Sequence, residues 1–117
     1  MTLSESNNLP LGVGELIDCL RSRWKATYDL QLVFRREQLY LQIMWGYLEQ
    51  KSFKMNETEY RDHIGKILDI INRLNLAGQV RFWLKNTKDK PRLGKALSLK
   101  LKVKGIEAEA IIREFLI

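Results

Sequence analysis

The stretch YDLQLVFRREQLYLQIMW, residues 28–45, decides the fold. Tyr28, Leu30, Leu32 and Phe34 alternate with Asp29, Gln31 and Val33. A period of two sends every second side chain to one face of a strand. Arg35, Arg36, Glu37 and Gln38 form a polar break, after which Leu39, Leu41, Ile43 and Trp45 alternate with Tyr40, Gln42 and Met44. Two alternating runs so close together predict a β-hairpin, with strands over 28–34 and 38–45. No glycine marks the turn, so its type stays open.

Working outward, Val13, Leu16, Ile17, Leu20 and Trp24 repeat at helical spacing and predict a helix over 13–25. Residues 1–12, MTLSESNNLPLG, are polar and turn-rich and read as a loose tail. After the hairpin, residues 44–53 are aromatic and contain Gly46, which suggests a short helical turn. Asn56 followed by Glu59 has the spacing of a capping box. Behind it Tyr60, Ile64, Ile67, Leu68, Ile71 and Leu74 predict the strongest helix, over 57–74. Leu76, Val80, Trp83 and Leu84 suggest another over 76–86, and Pro91 keeps the next segment out of a helix. Leu97, Leu99, Leu101 and Val103 alternate with Ser98, Lys100, Lys102 and Lys104, a half-buried strand over 96–103. Gly105 ends it, and 106–116 reads as a terminal helix. The expected fold is α+β: a three-stranded antiparallel sheet with helices packed mainly on one face, forming one domain over 13–117.

Composition narrows the function classes. The chain has 117 residues, 45% apolar and 29% charged, which suits one globular domain. A single Cys and a single His exclude an internal disulfide and the usual N/S zinc site. No apolar run approaches the ~20 residues of a transmembrane helix, and the N-terminus lacks signal-peptide character. The expected location is the cytoplasm, and the expected state a monomer without cofactor or metal.

The charge is unevenly placed. Lys and Arg number 20 against 14 acids, and residues 81–104 alone hold nine cations and one acid. Lys88, Lys90, Arg92 and Lys95 lie on the loop, while Lys100, Lys102 and Lys104 share the polar face of the strand. Such a surface fits an acidic protein partner or a nucleic-acid backbone. It also fits a solvated edge strand whose lysines discourage pairing with other chains. Nucleic acid ranks second, because single-strand recognition interleaves aromatics with cations. Here Phe82 and Trp83 open the segment and no aromatic follows until Phe115.

Catalytic signatures are sparse. His63 falls beside a helical apolar stripe with no Ser or Cys at a recognisable spacing. The string Pro91-Arg92-Leu93-Gly94-Lys95 has one glycine and leads into a strand, whereas a phosphate-cradling loop wants several and a helix after it. Glu57, Glu59 and Asp62 suit the first turns of a helix, where they favour its dipole, better than a carboxylate pair with Glu49. Cys19 reads as a packed thiol. These observations point away from an enzyme; one acting on a small anion beside residues 90–95 is the third reading.

The strings YDLQL (28–32), LQIMWGYLEQKSF (41–53) and KPRLGKALSL (90–99) resemble a small domain-of-unknown-function family of cyanobacteria and plastids. The resemblance spans roughly residues 13–103. It implies a compact α+β fold and a role peculiar to oxygenic phototrophs, and it brings no catalytic residue. Gly46 stands where the family pattern leads one to expect a larger residue. If the shared strings mark a surface, its candidates are Trp45, Tyr47, Glu49 and Gln50 in one and Arg92 and Lys95 in the other, although Trp45 also continues the inward alternation of Leu39, Leu41 and Ile43. The expected function is therefore a non-enzymatic accessory protein that binds an acidic protein, with nucleic-acid binding as the alternative.

Overall fold

The hairpin is present. In the computed structural model, which describes residues 8–103, 109, 110 and 112–114, β1 (Tyr28–Arg35) pairs antiparallel with β2 (Gln38–Tyr47). β3 (Leu97–Leu101) joins the other side of β2, giving the order β1-β2-β3. Three helices complete the layers: α1 (Val13–Trp24), α2 (Glu57–Arg73) and α3 (Ala77–Asn86). Glu109, Ala110 and residues 112–114 are helical, and Ile112 is buried; the rest of the expected terminal helix lies outside the described residues.

The core lies between the sheet and the helices. Leu30, Leu39, Leu41, Ile43 and Leu101 supply the sheet's inner face, each at most 1% exposed. Tyr60, Ile64, Ile67, Leu68 and Ile71 line the buried stripe of α2. α2 packs on β1, α3 packs on β3, and α1 lies against both helices through Leu16, Ile17 and Leu20. The expected capping box forms: Asn56 Oδ1 accepts from the Glu59 amide at 2.8 Å, and Glu59 Oε1 accepts from the Asn56 amide at 3.0 Å. Two orphan amides at the start of α2 are thereby satisfied.

Three places depart from the sequence reading. β3 is shorter than 96–103, covering five residues. The expected helical turn within 44–53 is instead strand as far as Tyr47, followed by two successive i→i+3 turns closed by the Gln50 and Phe53 amides. Residues 8–12, read as tail, are docked on the helices, while residues 1–7 lie outside the described residues. Leu11 is 1% exposed, and the Asn72 side chain receives its amide at 2.8 Å and donates to its carbonyl at 3.0 Å. Arg81 donates to the Leu9 and Pro10 carbonyls and pairs with Glu15 at 2.7 Å. A polar segment without periodicity gives no hint of such docking, because long-range side-chain bonds hold it.

The hairpin turn also resolves. Arg36 (φ 52°) and Glu37 (φ 62°) are both left-handed, the two-residue turn whose twist matches the strands. Neither residue type favours that region, which costs roughly 1–2 kcal/mol per residue. Glu37→Gly should therefore raise stability by about 1 kcal/mol. Urea unfolding at constant m checks this, and an unchanged midpoint would show that the turn carries no such strain.

Candidate functional site

The basic loop starts where α3 ends. The Arg23 guanidinium donates to the Lys85 and Thr87 carbonyls and so fixes the exit of the chain. Pro91 is buried and seats the loop. Arg92 and Lys95 then exchange backbone hydrogen bonds of 3.1 and 2.7 Å around a tight turn. Gly94 takes φ +79°, as the third residue of a type II turn requires. Leu93 is left at the tip, 90% exposed. Beside the turn is a shallow concavity of about 220 Å³, lined by Asp89, Lys90, Arg92, Lys95, Ala96 and Leu97.

Lys88, Lys90, Arg92, Lys95, Lys100 and Lys102 are all exposed. None of the six enters an ion pair among the described residues, whereas Arg21, Lys54, Lys66 and Arg81 all do. Arg81 was counted with the basic segment, yet its charge is spent on Glu15. Lys104 lies outside the described residues. Register puts Lys100 directly opposite Tyr40 on the outer face of the sheet. Beside them, Gln42 donates to the Ser98 hydroxyl at 3.2 Å.

The second candidate string is used differently. Glu49 Oε1 accepts from the Thr27 amide at 2.8 Å and Oε2 from the Thr27 hydroxyl at 2.6 Å, with Arg21 at 3.8 Å. Burial works to raise its pKa. Hydrogen bonds from Thr27 and the Arg21 charge outweigh it and hold the carboxyl below the usual range. Gln50 Oε1 accepts from the Tyr47 amide at 3.0 Å, closing the turn after β2. Tyr47 is half-buried and packs edge-on to Tyr28, with ring centroids 5.9 Å apart. These three side chains fasten the end of the hairpin, and Glu49 and Gln50 spend their side-chain oxygens on bonds within the chain.

A cluster not foreseen from sequence sits where the strand pairing slips. Tyr28 pairs with Tyr47 but Leu30 with Ile43, so Asp29 faces Met44, Trp45 and Gly46 together. Such a bulge resets the alternation. Trp45 consequently leaves the inward series and lines a groove of about 250 Å³ with Asp29, Phe53 and Lys54. Asp29, expected to point to solvent, is 6% exposed. His63 Nε2 lies 3.2 Å from Asp29 Oδ1 and 2.9 Å from the Leu30 carbonyl, and Lys54 lies 3.8 Å from Oδ2. The same Oδ1 accepts from the Leu30 amide at 2.9 Å. Asp29 and His63 thus satisfy both backbone groups of Leu30. The only advance signal was Gly46, which interrupts an otherwise bulky run. A Cβ there would meet the Phe53 ring at 3.6 Å, an ordinary contact.

Cys19 is half-buried, and burial followed by the Glu15 charge pushes its thiol up, away from the reactive thiolate. No group of three His, Cys, Asp or Glu side chains among the described residues could hold a metal ion. No described helix is long and apolar enough to cross a membrane.

A family model described as "Domain of unknown function (DUF3067)" matches residues 14–111. The chain is also similar to a solved structure, the solution NMR structure of the Alr2454 protein from Nostoc sp. strain PCC 7120. Identity is 40% over 87% of this chain and 98% of that one, with a TM-score of 0.78. No curated protein matches. The match extends past the 13–103 span on which the shared strings lie.

Acid should expose the two fastened carboxyls. Arg81 hydrogen bonds hold Glu15 below the usual carboxylate range, and Glu49 is held there too. A folded pKa below the unfolded one gives stability that is complete above the unfolded value, about 4.3. It disappears as pH falls from there through the folded value. Glu15→Gln and Glu49→Gln should each lower stability at neutral pH and flatten its decline below that point. Parallel pH–stability curves for wild type and both variants would contradict this assignment.

Proposed function

The chain belongs to the family described as domain of unknown function DUF3067, and from that premise we propose that it is a non-enzymatic accessory protein that captures an acidic protein partner on its basic loop and β3. The setting is the physiology of oxygenic phototrophs, a reading supported by the cyanobacterial relative. The observation that carries the proposal is the row of six exposed cations without ion-pair partners among the described residues. Like charges gathered on one surface repel each other, and a partner of opposite sign removes that cost. Complementary fields also speed the encounter and reject other basic surfaces. The Leu93 tip adds an apolar anchor at the centre of the loop, set among Arg92, Lys95 and Lys90.

One observation favours nucleic acid as a second reading. The strand register sets the half-buried ring of Tyr40 beside Lys100, an aromatic–cation neighbourhood that the linear sequence concealed. A single ring flanked by neutral Gln42 and Ser98 makes a small stacking platform. The acidic protein therefore comes first.

The test is capture from cyanobacterial lysate by the tagged protein, with and without nuclease, in parallel with a Lys100→Glu/Lys102→Glu variant. Both lysines are exposed surface positions, where a substitution shifts folding stability by only about 0.5 kcal/mol. A defined protein retained after nuclease and lost with the variant is the expected outcome. Capture that vanishes with nuclease moves the same cations to the second reading. Affinity for single strands would then fall with salt at a log–log slope of about −0.7 per neutralised phosphate. Capture unaffected by the variant would sink both.

A further inference from the structure

We infer that the acidic partner is engaged as an added strand, an extended segment that hydrogen-bonds along the free edge of β3 at Ser98 and Lys100. This rests on the reading above and specifies its chemistry. The argument starts from backbone direction. The Leu48 amide donates to the Thr27 carbonyl at 3.0 Å, so the Thr27 carbonyl faces β2. Backbone groups alternate along a strand, and those of Tyr28, Leu30, Leu32 and Phe34 therefore face away from β2. The Tyr60 hydroxyl on the Tyr28 carbonyl and His63 on the Leu30 carbonyl agree. Residues opposite them on β2, namely Leu39, Leu41 and Ile43, must then bond to β3 through Leu101, Leu99 and Leu97. The amides and carbonyls of Ser98, Lys100 and Lys102 are left facing outward.

At Lys102 that edge is already paired. The Gln79 side-chain amide receives the Lys102 N–H and donates to its carbonyl, both at 2.9 Å. A primary amide bonded at both ends to one residue reproduces what a neighbouring strand would do. At Ser98 and Lys100 no such cover is present among the described residues, and both are exposed. The edge therefore accepts a peptide group geometrically, and it is open for two more residues.

Charge selects the occupant. Lys95, Lys100 and Lys102 border this edge, so a second copy of the chain would bring lysines against lysines. Like charges directly opposite across a pair of strands destabilise it, and opposite charges support it. On the inner face, Leu97 and Leu99 are half-buried beside the edge and offer an apolar seat. The complementary segment alternates acidic with apolar residues: the acids meet Lys100 and Lys102 while the apolar side chains meet Leu97 and Leu99. Main-chain pairing then supplies affinity and the alternating side chains supply selectivity.

The experiment uses the full chain and a capped octapeptide alternating Glu and Val, with octaglutamate as the unpatterned control. Backbone amide exchange is followed by NMR. The Glu-Val peptide is expected to slow exchange at Ser98 and Lys100 by at least about tenfold, leaving Leu32 and Phe34 on the β1 edge unchanged. Ser98→Pro removes one outward amide and no backbone bond to β2, and Ser98→Ala shares its loss of the hydroxyl bond from Gln42, so the proline should abolish peptide binding while the alanine retains it. Should the proline variant fail to fold, wild-type exchange alone decides. Equal binding of both peptides with no amide protection would overturn the added strand and leave the electrostatic partner surface standing. Absence of binding, protection at the β1 edge, or concentration-dependent protection without peptide would each overturn it as well.

Discussion

A three-stranded sheet has more edge than interior. Among the described residues, β1 and β3 each leave one side of their backbone without a strand, and unpaired groups there template unwanted association. Much of the polar chemistry answers that constraint. Asp29 and His63 close the edge at Leu30, Tyr60 closes it at Tyr28, and Gln79 closes the opposite edge at Lys102. The slip in pairing at Asp29 belongs to the same solution, since it turns a carboxylate back toward its own strand. Apart from Asp29, the capping side chains lie on α2 and α3, so packing those helices and closing the edges are one event. Losing the Tyr60 phenol would leave the Tyr28 carbonyl unanswered in a partly buried place, the costly half of a hydrogen bond.

The same economy places the chain's ends of structure. Residues 8–12 carry one buried apolar side chain, Leu11, and otherwise attach through Asn72 and Arg81. Arg81 also pairs with Glu15 on α1. One guanidinium therefore joins α3, α1 and the leading segment. Glu49 does the equivalent work beyond the hairpin, tying the turn after β2 to Thr27 and Arg21. Both carboxylates gain by staying ionised, which sets the acid side of the stability profile.

What the sequence disclosed follows from which forces are periodic. Burial repeats every two or 3.6 residues, so the hairpin, α2 and the strand at Leu97–Leu101 were legible from Leu30, Ile64 or Leu99 alone. The Asn56–Glu59 cap was legible because it is local. Asp29 was not, because a bulge inserts residues into one strand with no sign beyond Gly46, and Trp45 was misread for the same reason. Glu49 looked free because its partner, Thr27, lies twenty-two residues away. Of the candidate site, the cations were visible as composition. Their arrangement along an edge, with Tyr40 across from Lys100, needed the register.

On the proposed reading, that arrangement would let one set of residues do two jobs. Lysines beside an open edge would oppose the pairing of two copies, since self-pairing stacks like charges in a setting where strands approach within about 5 Å. An acidic segment would meet the opposite balance, because each carboxylate it brought would relieve repulsion among cations that have no ion-pair partner among the described residues. The barrier to self-association and the attraction to a partner are then the same Coulomb term with its sign changed. A neutral edge would lack both. An edge fully covered, as Gln79 covers Lys102, would lack the second. Ser98 and Lys100, uncovered among the described residues between that cap and the basic turn, are where both would operate.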